Sequence, residues 1–185
     1  MRVVAGLAKG TRLKTPTTGT RPMMDRMKES VFSALGDFEG IRVLDLYAGS
    51  GSLGLEALSR GAKRVVFVES AREAILKLEQ NIEATKLDGT EVVWADVKAT
   101  LPRTPDDRFD LIFVDPPYNM PQPSVRGDLE ALVMNGYLSD EGRVVVHRPG
   151  KESDLVPLGL EVVWDREFGQ SRVYVFSHEE DEEGS

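Results

Sequence analysis

The segment FVDPPYNM, Phe113 to Met120, ends an apolar run with a carboxylate and follows it with two prolines, an aromatic ring and an amide. Proline fixes φ at about −65° and has no N–H, so the loop is stiff before anything binds to it. A Pro-Pro turn after a strand is common, and the dipeptide alone means little. Asp115, Pro116, Pro117 and Tyr118 together place a carboxylate, a carbonyl and a ring face at set positions. A second loop, within VLDLYAGSGSLGLEALSRG (43–61), spaces Gly49, Gly51 and Gly54 as GxGxxG, a weak signal by itself. Glycine admits positive φ and lets a ligand approach the backbone, and a helix opening near Ser52 leaves N–H groups free for an electron-rich group. In a dinucleotide site those donors meet pyrophosphate. Asp45, four residues before Gly49, would repel pyrophosphate and suits a cationic ligand bearing an ammonium group. Glu69, ending the next strand, is placed to accept from a ribose diol, and Asp96, ending the third, lies where an exocyclic base amine would sit. Three strand-end acids fall in the crevice where open α/β sheets bind ligands. The alternative for each is to cap the following helix, for which Asp96 is well suited.

These groups need a sheet to bring them together. From residue 41 onward, short β-branched runs alternate with helical patterns. The strand candidates are 41–46, 64–69, 91–96, 109–115, 143–147, 160–165 and 171–177, with helices near 52–60, 71–86, 124–135 and 151–156. The first four strands are nearly continuous apolar runs, as expected of strands buried on both faces of a parallel sheet. This alternation predicts βαβ units and a doubly wound, Rossmann-like α/β sheet. The last two strands are joined only by DREFGQ (165–170), which is hairpin geometry, so the final strand is expected to run antiparallel. Ahead of the sheet, VVAGLAKGTRLKT reads as a small hairpin turning near Lys9-Gly10, TPTTGTRP (15–22) as a loop, and 23–38 as a helix. The expected division is an N-terminal extension over 1–40, a ligand-binding domain over 41–178 and an acidic, disordered tail over 179–185.

At 185 residues, with 41% hydrophobic and 29% charged, the chain has the size and composition of one soluble domain. It has no cysteine, which excludes disulfides, thiolate metal sites and a Cys nucleophile. No window approaches the roughly 20 apolar residues of a membrane span, and the N-terminus lacks an apolar leader core, so a cytoplasmic location is expected. The net charge of −8 is unevenly spread. Residues 1–28 hold Arg2, Lys9, Arg12, Lys14, Arg21, Arg26 and Lys28 against Asp25 alone, so this segment is +6 and the remainder −14. A basic arm on an acidic body is a plausible footprint for phosphate.

The order DLYAGSG, then VFVES, then WADV resembles the class I S-adenosylmethionine-dependent methyltransferases, whose seven-stranded sheet with an antiparallel last strand agrees with the count above. The resemblance implies that Asp45 and the Gly49–Gly51 loop, with Tyr47 and Ser50, hold the methionine moiety, Glu69 the ribose and Asp96 the adenine edge. It also gives the DPPY loop a purpose. An exocyclic amine is a poor nucleophile because its lone pair is delocalised into the ring. Acceptors on its two hydrogens, supplied by Asp115 and the Pro116 carbonyl, aim the nitrogen and favour a tetrahedral geometry. Tyr118 offers a face for the target base, which must leave its stack to reach it. Direct displacement at a sulfonium methyl requires no metal, and none is expected.

Over nearly the whole chain, RVVAGLAKGTRLKTP…TRPMMDRMKESVFSAL followed by VLDLYAGSGSLGLEALSRGA resembles the RsmD-type 16S rRNA guanine-N2 methyltransferases. That implies N2-methylation of one guanine, position 966 in the usual rRNA count, with the small ribosomal subunit as partner and a monomeric enzyme. Arg2, Lys9, Arg12 and Lys14 would contact phosphate, and Arg21 and Pro22 would lie in a loop able to close over the site. Met23, Met24 and His147 depart from the family pattern; His147 is read as a packed strand-end residue rather than a base. Other readings are a DNA adenine or cytosine amine methyltransferase, against which the missing target-recognition domain counts, and a glutamine methyltransferase, which more typically carries Asn at position 115. A non-catalytic S-adenosylmethionine-binding module would leave DPPY idle, as would a nicotinamide oxidoreductase.

Overall fold

The computed structural model describes residues 1–17 and 22–181. The β-branched runs form one seven-stranded sheet: β1 (Arg42–Leu46), β2 (Arg64–Glu69), β3 (Thr90–Trp94), β4 (Phe109–Val114), β5 (Leu138–Pro149), β6 (Leu160–Phe168) and β7 (Ser171–His178). Their spatial order is β3-β2-β1-β4-β5-β7-β6. The strands from β3 to β5 are mutually parallel, while β7 runs antiparallel to both neighbours. The helices are α1 (Asp25–Leu35), α2 (Ser52–Ser59), α3 (Arg72–Thr85), α4 (Val97–Thr100) and α5 (Gln122–Met134). The chain reverses from β6 into β7 at Gly169, whose φ of 57° a side chain would resist.

β1, β2 and β4 are buried along nearly their whole length, which is why they read as unbroken apolar runs. β3 departs from that expectation. It is the sheet edge, only partly covered, and Trp94 is exposed. Two apolar layers flank the sheet. Val43, Phe67, Phe113 and Val145 point to one, where they meet α2, α3 and Phe32 of α1; Leu44, Leu46, Ile112 and Val146 point to the other, where they meet Leu129 of α5.

The N-terminal segment shares the first layer through Val3, Ala8, Leu13 and Met23. Its hairpin is minimal, a single antiparallel bridge between Arg2 and Arg12. What holds it is α2. Leu7 N–H donates to Ser59 O at 2.8 Å and Ala8 N–H to Ser59 Oγ at 2.9 Å. A Cβ on Gly6 would lie 1.8 Å from Ser59 O, so only glycine permits this approach. Below it, Glu56 accepts from Val4 N–H (2.7 Å) and Ala5 N–H (3.1 Å) and pairs with Lys28 at 3.2 Å. Both side chains are fully buried. Burial lowers the Lys28 pKa, and the Glu56 carboxylate works against that shift.

Three sequence expectations are corrected. Residues 151–156 form no helix. Gly150 and Pro157 bracket the segment, and its Leu155 N–H donates to the Tyr174 hydroxyl at 3.3 Å in place of a preceding carbonyl. β5 begins at Leu138, because Phe109 N–H bonds to Tyr137 O and draws the polar stretch SDEG into the strand. Lys28, counted above among the cations of a phosphate-binding arm, is an interior residue.

Candidate active site

A cavity of about 430 Å³ opens at the C-terminal ends of β1, β2 and β4, within the size range of small-molecule sites. Asp45, Glu69, Asp96 and Asp115 all line it, as do Tyr47, Gly49 and Ser50. Pro116 and Pro117 form part of the wall, and Pro16, Pro22 and Met23 of the N-terminal segment close one side. Arg21 lies outside the described residues. Gly51 is not on the wall. With φ at 83° it starts α2, and a Cβ there would sit 2.3 Å from Leu78 Cδ1, so its role is to let the loop pack on α3.

Asp45 is 1% exposed, and its Oδ2 accepts Gly54 N–H at 3.0 Å. Burial pushes its carboxyl well above the usual range, the nearby Asp115 and Glu69 push the same way, and the Gly54 N–H opposes them. A cation in the cavity would favour the ionised form. Glu69 is fixed by its own backbone: Oε1 accepts Gly49 N–H at 2.8 Å, while Oε2 accepts Ser70 and Ala71 N–H at 2.9 and 2.8 Å. Three of about four acceptor positions are thus used, leaving roughly one for a ligand hydroxyl. Asp96 does both things considered for it. Oδ1 caps α4 by accepting Lys98 N–H at 2.9 Å, and the residue also faces the cavity. Tyr47, at φ 56°, donates its hydroxyl to the buried Asp128, which pairs with Lys98 at 2.7 Å. Burial, then the bond to Asp128, raise the Tyr47 hydroxyl pKa far above its ordinary value.

Asp115 stands at the end of β4, one-fifth exposed, with His147 Nδ1 2.9 Å from Oδ1. The register explains the meeting. Val114 pairs with Val146, so the next residues of the two parallel strands lie side by side. His147 Nε2 is 3.1 Å from the Tyr118 hydroxyl, which also bonds to Ser171 Oγ. Sequence reading placed His147 at a packed strand end, and it is 1% exposed; its link to Asp115 was missed, although adjacent parallel strands ending DP and HR carried the signal. Arg148 was missed too. Buried beside His147, it donates Nη2 to Met120 O at 2.8 Å and so braces the far end of the DPPYNM loop.

Asn81 is the third residue missed. Its Nδ2 donates to Ser50 O and to Lys14 O, each at 2.9 Å, and its Oδ1 accepts Lys14 N–H at 2.8 Å. It occupies the same buried stripe of α3 as Ile75 and Leu78, where a carboxamide stands out. Among the described residues 1–28 the exposed cations are Arg2, Lys9, Arg12, Lys14 and Arg26, with Arg2 drawn toward Asp25 at 3.9 Å.

A sheet of this order, with its antiparallel seventh strand and ligand cavity at the ends of β1, β2 and β4, is the Rossmann-like fold of the class I methyltransferases. The family model described as conserved hypothetical protein 95 matches residues 1–177. The chain belongs to that family, the RsmD-family methyltransferases. Ribosomal RNA small subunit methyltransferase D of Escherichia coli is 34% identical over 154 residues, covering 79% of this chain and 73% of its own. The protein of the same name from Buchnera aphidicola of Acyrthosiphon pisum is 26% identical over 176 residues, 94% of this chain and 91% of its own. Among solved structures, a hypothetical protein of Thermus thermophilus superposes with a TM-score of 0.82 at 32% identity, over 96% of this chain and 99% of that one.

Proposed function

We propose that the chain is an S-adenosylmethionine-dependent 16S rRNA methyltransferase that modifies the exocyclic N2 of one guanine, position 966, in the small ribosomal subunit. The observation that carries the reading is Asp115, held rigidly on the wall of a cavity whose other acids suit a cationic nucleoside. The donor set fits that ligand: a buried Asp45 for positive charge, an acceptor on Glu69 for a ribose hydroxyl, and Asp96 near a base edge. Held by Asp45, Glu69 and Asp96, S-adenosylmethionine would supply an electrophilic methyl on a sulfonium, whose sulfur would keep the electron pair of the departing methyl. Asp115 and the Pro116 carbonyl accept the two amine hydrogens and hold the lone pair in line. The proton shed by the methylated nitrogen passes to the Asp115 carboxylate. Tyr118 offers its ring to the target base, and Lys9, Arg12 and Lys14 meet phosphate.

Transfer of tritiated methyl to unmodified small subunits, naked 16S rRNA and duplex DNA, with the product nucleoside mapped, tests this directly. N2-methylguanosine at a single site in rRNA is expected. Label in DNA adenine or cytosine would overturn the substrate and keep the fold.

Asp45 gives a pH signature. Its folded-state pKa lies above the unfolded one, so without ligand its ionisation costs stability as pH rises from the ordinary carboxylate range through the raised value. Binding a cation offsets that cost. Cofactor affinity by calorimetry should therefore strengthen as pH rises through the raised pKa, and Asp45→Asn should weaken binding and flatten the dependence. An unchanged profile in the variant would remove Asp45 from the cofactor's surroundings.

A further inference from the structure

The geometry points to His147 as a positioning residue that fixes the charge-bearing face of Asp115, resting on the amine-methylation reading above. Four side chains from three elements form one chain: Ser171 at the start of β7, Tyr118 in the DPPY loop, His147 in β5 and Asp115 after β4. For a neutral imidazole, one assignment of hydrogens satisfies an ionised carboxylate, which can only accept. His147 Nδ1 must then carry the proton and donate to Asp115 Oδ1. In the neutral ring Nε2 is an acceptor, so the Tyr118 hydroxyl donates to it, and the Tyr118 oxygen accepts from Ser171. The donors run in a single direction and end on Asp115.

Two consequences bear on the reaction. With one of the two Oδ1 acceptor positions taken by His147, Oδ2 keeps both of its own and is the better acceptor for the target amine. The Tyr118 hydroxyl is also committed inward, with its ring edge-on to the imidazole at 5.4 Å and 69°, so the ring and not the hydroxyl is what the loop offers to a base. At 1% exposure His147 does not reach a ligand; it acts through Asp115 at one nitrogen and holds the Tyr118 hydroxyl at the other. The register sets this up: Val114 opposite Val146 brings Asp115 to His147, and Pro149 opposite Ser171 brings the last member within reach.

The test has two arms. In the first, ¹⁵N-histidine NMR of the wild-type chain should show His147 as the Nδ1-protonated, Nε2-unprotonated tautomer, with a downfield N–H signal that is lost in Asp115→Ala. The opposite tautomer would overturn the proposal whatever the enzyme methylates. In the second, His147→Ala should lower kcat by about 10–100-fold, the scale of a misplaced reacting group, with RNA KM and cofactor Kd held within about twofold. His147→Asn keeps a donor near Nδ1 and should recover most of that loss. In an Asp115→Asn background, His147→Ala should add no more than Tyr118→Phe adds there, because the only other group His147 holds is the Tyr118 hydroxyl. Unchanged kcat in His147→Ala, multiplied losses in the double variant, or no recovery in a folded His147→Asn would each sink the idea. If His147→Ala fails to fold, His147→Asn against wild type carries the comparison. Wild-type transfer to an amine other than guanine N2 would revise the substrate and leave both arms standing.

Discussion

Asp115→Ala is expected to lower methyl transfer by about 10²–10⁴-fold, the range for losing a positioned proton acceptor or a preorganised electrostatic group. Cofactor affinity should be held. The reason lies in the acids that share the cavity. The Asp115 charge is one of the forces that raise the Asp45 carboxyl, so its removal eases ionisation of Asp45 and offsets the lost attraction of Asp115 itself for a cationic ligand. Single-turnover transfer and calorimetry on the same preparation check both halves. Equal losses in rate and cofactor affinity would show that Asp115 supports the cavity rather than the amine. The variant also leaves His147 Nδ1–H without its partner, at a cost of about 1–3 kcal/mol, so a melting curve belongs beside the kinetics.

Glu56→Ala should produce the largest stability loss of any single substitution considered. It takes from buried Lys28 its nearer carboxylate, leaving Arg2 O, Ser52 Oγ and Asp25 at 4.0 Å, strips the part-buried Val4 and Ala5 N–H groups of their acceptor, and removes one partner of Arg60. Breaking one side of a buried ion pair costs about 3–5 kcal/mol. At about 2–4 °C per kcal/mol for a chain this size, the melting temperature should fall by roughly 6–20 °C. Adding Lys28→Met removes a buried charge that then has only the more distant Asp25 for a partner, and should restore part of the drop. A Glu56→Ala melting temperature within about 2 °C of wild type would show that water reaches Lys28. The N-terminal segment docks through Val4 and Ala5, and its Pro16 and Met23 close the cavity. Cofactor affinity should therefore fall in the same variant.

The centre of the sheet was readable because β1, β2 and β4 are buried on both faces and apolar, and the hairpin after β6 because only a few residues separate it from β7. The acids at the strand ends were readable because parallel order forces Asp45, Glu69 and Asp115 to one edge of the sheet. What stayed hidden depends on pairs far apart in sequence. Lys28 looks like one more cation in a basic segment, and its burial follows from a carboxylate 28 positions later that itself looks like a solvent-facing helix residue. Asn81 is an ordinary polar residue until Lys14 and Ser50 are brought against it. His147 could have been paired with Asp115 from strand order alone, since β4 and β5 are neighbours, but its link to Tyr118 and Ser171 needed β7 in place. Residues 151–156 misled for the opposite reason: local propensity was read as helix where contacts with β7 hold the chain extended.

The interior position of β7 has a consequence for synthesis. When a ribosome has delivered the chain only as far as β6, the flank of β5 that will receive Phe176, Val175 and Tyr174 has no partner. An uncovered row of backbone donors and acceptors, beside Val144, Val145 and Val146, is a template for pairing with another nascent chain. β6 cannot cover it, because β6 joins the sheet only through β7. The sheet therefore closes last at the seam between β5 and β7, in the same event that brings Ser171 to Tyr118. Until that moment the emerging polypeptide is at its most aggregation-prone.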